Sequence, residues 1–377
     1  MAYGSVATDQ IVTSVANTSL GAGNSSIMKN RIINGAMVID QRNAGASVTP
    51  TVDGQYTLDR WQVSLSAASK FSVQQNGGGV ITAPAGFNNY LSITSLSAYS
   101  VPTGGYFMLN QPIEGFNVSD LNWGTANAKT ITLSFQVFSS LTGTFGGAIQ
   151  NSAQNRAYPF SYSIPVANTW TTISVTIAGD TTGTWVGSTN GVGMFVRFGL
   201  GVGSNFSTTA GSWTAGQYFS STGATSVVGT SGATFLVTGV QLEVGSSATG
   251  YEYRQYQQEL ALCQRYFWMC TRGNGSTDQM IANGFAYSAS QPEAVIQMKT
   301  SMRTAPSLYI SNVANTFQAG AAAANYTFGT MGIYGSSTES ALVYGSGVGG
   351  FTAGQGVRIS IISTATSTAY IGFSAEL

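Results

Sequence analysis

Residues Thr130 to Val137 read TITLSFQV, with an apolar side chain at every second position and a polar one between. Period two places Ile131, Leu133, Phe135 and Val137 on one face of a strand. The runs TTISVTI (Thr171–Ile177) and VRISII (Val357–Ile362) repeat the pattern. Gly, Asn, Asp and Ser bound such runs, which is the punctuation of half-buried antiparallel strands. With 47 glycines spread along the chain and only one helical period between the runs, an all-β chain is predicted. The expected architecture is a large jelly-roll-like β-sandwich, a short linker helix and a second, smaller β-sandwich.

A length of 377 residues with 43% hydrophobic residues suits two such domains. Charged residues make up 7% of the chain, where a soluble globular protein carries roughly 25%. The 14 basic and 14 acidic residues cancel, and a near-neutral, charge-poor surface favours association. Burial in an oligomer or larger assembly is therefore expected. No basic excess is present to neutralise phosphates, so neither nucleic acid nor an anionic membrane is an expected partner. No run of 18 apolar residues and no secretion signal is apparent, so cytosolic synthesis without membrane insertion is expected.

Four segments follow. Residues 1–27 are small and polar, too poor in apolar surface to fold alone, and read as a docking or adaptor segment or as a frayed terminus. Residues 28–250, with five of the six tryptophans, form the large sandwich. Residues 251–270 read as a helix from Tyr251 to Met269. Tyr253, Tyr256, Leu260, Cys263, Phe267 and Cys270 are spaced alternately three and four apart, as in a heptad seam. That seam predicts an oligomer interface at Tyr253, Tyr256, Leu260, Cys263 and Phe267; the alternative is an amphipathic linker helix lying on a sandwich. In one helix Cys263 and Cys270 are roughly 10 Å apart, beyond disulfide reach, and read as buried thiols. Residues 271–377 form the second β unit.

The chain has no histidine, which removes the commonest general base and the commonest zinc ligand. No phosphate-binding loop motif occurs. No catalytic residue, metal or cofactor is expected. A carboxylate pair could still hydrolyse a glycan, and Asp40, Asp53, Asp59, Glu114, Asp120, Asp180 and Glu243 all lie in the larger domain. Several of these sit in turn contexts such as Gly179-Asp180. Calcium at Glu243 and carbonyls near Asn34 is a further candidate without a supporting loop motif. Trp123, Trp185 and Trp213, beside glycine-rich or polar loops, are candidate glycan-binding rings, the alternative being core or interface. Trp61 and Trp170 stand at strand starts and read as core.

The run NRIINGAMVIDQRNAGASVTP (Asn30–Pro50), then LDRWQV, IEGFNVSDLNWGTANAKTITLSFQV, ATFLVTGVQLEVGSSATGYEYR and QELALCQRYF, resembles a module common in phage and prophage tail-fibre proteins. The resemblance covers most of residues 28–270. Its opening NGAM…DRWQV and closing GVQLEVG also resemble the first and last strands of jelly-roll carbohydrate-binding modules. That implies a sandwich whose two sequence ends pair as neighbours. No sugar-contacting motif of those modules matches residue by residue. MRTAPSLYIS and IGFSAEL resemble the small β domain that often follows the helix in such virion proteins. The family implies a homotrimer in a virion, docked to other virion proteins through residues 1–27, with a host surface glycan as partner. No internal repeat of a long shaft is present, which favours a short fibre, a baseplate or tail-tip component, or a fibre anchored on the capsid. The alternatives are a capsid decoration, head-fibre or tail-joining protein without a receptor, and a polysaccharide depolymerase.

Overall fold

A computed structural model describes residues 29–311, 315–321, 324–328, 330–347, 349–365 and 368–377. The expected docking segment, residues 1–27, lies outside the described residues. Among the described residues the chain is all-β apart from one α-helix and short 3-10 turns, and it divides into two compact units. Among the described residues no helix is long and apolar enough to cross a membrane.

The first unit, residues 29–38 with Gly45–Thr57 and Trp61–Arg254, is the jelly-roll-like sandwich. Its five-stranded sheet runs Phe71–Gln75, Leu91–Ser95, Thr234–Val244, Ile131–Ser139, Thr171–Ile177. The alternation of TITLSFQV sends Ile131, Leu133, Phe135 and Val137 into the core. The two sequence ends pair as neighbours, since Arg31 N–H donates to Leu242 O (2.9 Å) and Val240 N–H to Gly35 O (3.0 Å).

The seven-stranded sheet runs Gln55–Leu58, Trp61–Leu65, Tyr106–Glu114, Val192–Val202, Gly143–Asn151, Arg156–Ile164, Thr214–Ala215. Its inner face meets the first sheet through Phe198, whose ring lies 5.0 Å from Phe135 of that sheet and 6.3 Å from Trp61 of its own. Trp61 is fully buried, while Trp170 is half-buried against Tyr90 and Phe138. The outer face is also closed. Arg197, between the core residues Val196 and Phe198, points away from them. Its guanidinium lies 4.4 Å from the Phe195 ring and 4.8 Å from the Phe219 ring. Gly146 and Gly199 sit under Ser220; a Cβ on Gly146 would come within 2.4 Å of the Ser220 Oγ.

The second unit is Gln255–Leu377 together with two short pieces of the N-terminal half, Ile39–Ala44 and Leu58–Arg60. One sheet has three strands, Phe267–Arg272, Tyr370–Ser374 and Ser307–Ile310. The other has seven, Asn325–Phe328, Phe317–Gly320, Gly356–Ile361, Gln279–Ser288, Gln291–Gln297, Ser340–Ser346, Thr330–Ser336. Ala286, Ala294, Val343, Ile359 and Phe317 line its core. Glu376 is held by Arg42 (2.9 Å) and by Arg60. Those two guanidiniums lie 3.6 Å above the Phe267 and Tyr266 rings respectively.

The helix is shorter than its period predicts. It spans Tyr256–Gln264, and Phe267–Arg272 is a strand paired with Tyr370–Ser374. The run FWMCTR is apolar and aromatic on successive positions, so it satisfies a strand as readily as a helix, and the ladder decides. Upstream, Tyr251–Arg254 belongs to the jelly roll: Arg254 donates to Ile32 O (3.0 Å) and Glu252 accepts from Asn30 N–H (2.7 Å). The predicted seam is thereby broken. Tyr253 (61% exposed) precedes the helix, Tyr256 (57% exposed) and Leu260 lie on it, and Cys263 and Phe267 are 0% exposed inside their own unit. Cys263 and Phe267 are thus core residues, not an oligomer surface. Both cysteines are free thiols, Cys263 buried and Cys270 half-buried on the strand.

Candidate functional site

Three loops of the jelly roll bring the sequence-nominated tryptophans together. Trp123 follows the 3-10 turn Ser119–Leu121, where Asn122 takes a left-handed φ of 54°. Trp185 comes from the loop after Thr171–Ile177, and Trp213 precedes the short strand Thr214–Ala215. Their ring centroids are 4.7 Å (Trp123–Trp185), 5.1 Å (Trp123–Trp213) and 5.4 Å (Trp185–Trp213) apart, all edge-to-face. Such contacts add about 0.5–1.5 kcal/mol per pair beyond burial. Tyr158 continues the cluster, 5.3 Å from Trp213. Gly124, with φ +84°, gives the chain room here; a Cβ there would meet Gly183 O at 3.0 Å.

Each indole N–H is used by the protein. Trp123 donates to Lys129 O (2.8 Å), Trp213 to Ala178 O (2.7 Å) and Trp185 to Asp180 Oδ2 (3.1 Å). Asp180 also accepts from Arg156 Nε (2.8 Å) and Nη2 (2.7 Å). Burial would raise the Asp180 carboxyl, but the Arg156, Trp185 and Thr182 donors outweigh it and hold it below the usual carboxylate range.

Trp123 is only 7% exposed, so it is the foundation of the cluster and not a glycan-contacting ring. Trp185, Trp213 and Tyr158 are half-buried. The pocket between Val118, Trp123, Trp185 and Met194 measures about 60 Å³. That is space for about two waters, not for a sugar ring. A glycan can meet this cluster only from outside, on the uncovered parts of Trp185, Trp213 and Tyr158.

Sequence reasoning nominated the tryptophans but missed Tyr158 and the Asp180–Arg156 clamp. Asp180 stands among the nominated carboxylates in a turn context, and its partner lies 24 residues away with no local mark.

The other nominated carboxylates have partners within the protein. Glu243 accepts from Thr249 N–H (2.9 Å), Thr249 Oγ1 (2.6 Å) and Gln241 Nε2 (2.9 Å), and Asn34 O accepts from Trp61 Nε1 (3.0 Å). The two groups nominated for calcium are thus engaged by protein donors. Asp53 accepts from Leu65 N–H, Asp40 from Asn43 N–H, and Asp120 from Arg31. Glu114 is buried in its strand. Asp59 differs: burial pushes its carboxyl up to about 7 against the pull of Arg42 and the Gln41 hydrogen bonds.

No protein-family model and no curated protein matches the sequence. Among solved structures, the enzymatically active domain of bacteriophage CBA120 tailspike protein 4 is similar over 57% of this chain and 21% of its own, at 11% identity and a TM-score of 0.32. The family 11 carbohydrate-binding module of Clostridium thermocellum, in complex with a mixed-linked tetrasaccharide, is similar over 54% of this chain and 98% of its own, at 12% identity and 0.26. A family 61 module in complex with β-1,4-galactotriose is similar over 51% of this chain and 92% of its own, at 10% identity and 0.26. This chain therefore spans about a fifth of the tailspike domain and nearly all of either module, and likeness at that level says nothing of a ligand or a reaction here.

Proposed function

We propose that this chain is a non-enzymatic surface protein of a phage virion, a short fibre or receptor-binding component, that presents its β units to host glycan. One observation carries the glycan part. Trp185, Trp213 and Tyr158 converge at the rim of the jelly roll with their rings half open, while every indole N–H is tied back to the protein. Rings fixed in this way offer apolar faces to the C–H face of a sugar at little cost in side-chain order. The sequence resemblance to tail-fibre modules supports the virion part, with residues 1–27 as the dock. Charge scarcity supports an oligomer, a homotrimer by that resemblance, held by surfaces other than Cys263 and Phe267.

The test is binding of the full chain to host cells and to a glycan array. Trp185→Ala and Trp213→Ala should each lower array binding about tenfold with the secondary structure retained. Undiminished binding in both would remove the tryptophan rim from the proposal.

A further inference from the structure

The second unit carries an unused aromatic face. In its seven-stranded sheet Phe285 is opposite Glu293, and Glu293 is opposite Tyr344, so the three side chains form one row on one face. Their neighbours Ala286, Ala294 and Val343 point into the core, so this row is on the outer face. Phe285 and Tyr344 are then separated by two strand spacings, roughly 10 Å. Tyr344 lies across the next strand at Gly332, where a Cβ would come within 2.3 Å of its ring. The register shift between Ile333 and Gly335 is a bulge at Tyr334, a device that re-aims a side chain. The Tyr334 ring sits 4.4 Å from Tyr344 at 31° and is 58% exposed.

A polar device runs through the same row. Gln291 Nε2 donates to Tyr334 Oη (2.7 Å) and to Glu293 Oε1 (2.8 Å). Glu293 is only 5% exposed, and its Oε2 takes no hydrogen bond among the described residues.

We propose that this face binds a neutral sugar, with Tyr334 and Tyr344 stacking on a pyranose ring and Glu293 accepting from its hydroxyls. The chemistry separates a sugar from other occupants. An apolar protein surface pressed onto the row would leave Oε2 covered and without a donor, which is costly. A sugar brings hydroxyl donors at the edge of an apolar C–H face, and such a donor satisfies the open carboxyl oxygen. A carboxylate in the floor also disfavours acidic sugars. The site is distinct from the tryptophan rim and does not rest on it.

The experiment uses the full chain carrying Trp213→Ala, which disables the jelly-roll rim, and an array of neutral β-linked glucosides and galactosides. Binding that persists in this background should fall at least tenfold on adding Glu293→Gln, which keeps the shape, or Tyr344→Ala. Gly332→Ala, which lifts the Tyr344 ring without removing it, should do the same. An unchanged melting temperature for Glu293→Gln shows that the fold survives. Three outcomes overturn the proposal: no array binding in the Trp213→Ala background, binding that is indifferent to Glu293→Gln and Tyr344→Ala, or an oligomer that Tyr344→Ala dissociates in light scattering with array binding unchanged. Loss of binding with Glu293→Gln but with neither Trp185→Ala nor Trp213→Ala would support this site and sink the tryptophan rim.

Discussion

Arg197 and Glu293 occupy comparable places, each on the outer face of a seven-stranded antiparallel sheet, each flanked by aromatic residues and nearly buried. Their surroundings differ in one respect. Over Arg197 the chain returns as Phe219–Ser221 and closes the face, so the guanidinium ends between two rings as part of the interior. Over Glu293 the rings of Phe285 and Tyr334 remain 45% and 58% exposed. A polar group among aromatic rings is thus structural or available according to whether a further layer covers it. The residue types alone do not distinguish the two cases.

The largest effects should come from the inner faces, where the two sheets are alike. Phe198→Ala in the jelly roll and Phe317→Ala in the second unit each remove a fully buried ring, and each should cost about 3–5 kcal/mol. Calorimetry checks this; a loss below about 1 kcal/mol in either unit would show that its core is not close-packed there.

Acid should separate the units next. The folded Asp59 carboxyl, in the second unit, titrates near 7 against an ordinary value of 3.8. Folding therefore favours its protonated form, and this contribution is full below about pH 4 and lost as pH rises to about 7, a change of a few kcal/mol. Asp180 in the jelly roll is shifted downward, so its contribution is present above about pH 4 and lost as pH falls below it. Melting of the two units across pH 3–8 should give slopes of opposite sign, and Asp59→Asn should flatten the slope of the second unit. Parallel slopes would contradict the contrast.

A smaller pair of changes probes the cover directly. Gly146→Ala drives a methyl to within 2.4 Å of Ser220 Oγ and 2.9 Å of Ser221 N, and should destabilise by about 1–3 kcal/mol. Gly356→Ala, in the row of Phe285 and Glu293, meets nothing within 4 Å and should stabilise by about 0.5–1 kcal/mol. Equal signs in denaturant titrations would mean that the two outer faces are covered alike.

Much of this arrangement was written locally. The alternation of Ile131, Leu133, Phe135 and Val137 names a strand and its buried face from eight residues, because side chains alternate with a period of two. The period alone over-extends the helix because 3-4 spacing and a strand run coincide at Phe267, and only the partner Tyr370–Ser374 settles which forms. Trp123, Trp185 and Trp213 were recognisable one by one, but their meeting depends on three loop conformations. The row Phe285–Glu293–Tyr344 was not legible at all. It exists only in a given register, and a one-residue slip would turn Tyr344 inward.

The carboxylate of Glu376 meets guanidiniums made 334 residues earlier, at Arg42, and 316 residues earlier, at Arg60. On a ribosome adding about 5–20 residues each second, those arginines wait tens of seconds for this carboxylate. The second unit cannot close around them until Glu376 has emerged. A fragment cut at Gln255 would leave both arginines behind, so the unit is contiguous in space but not along the gene.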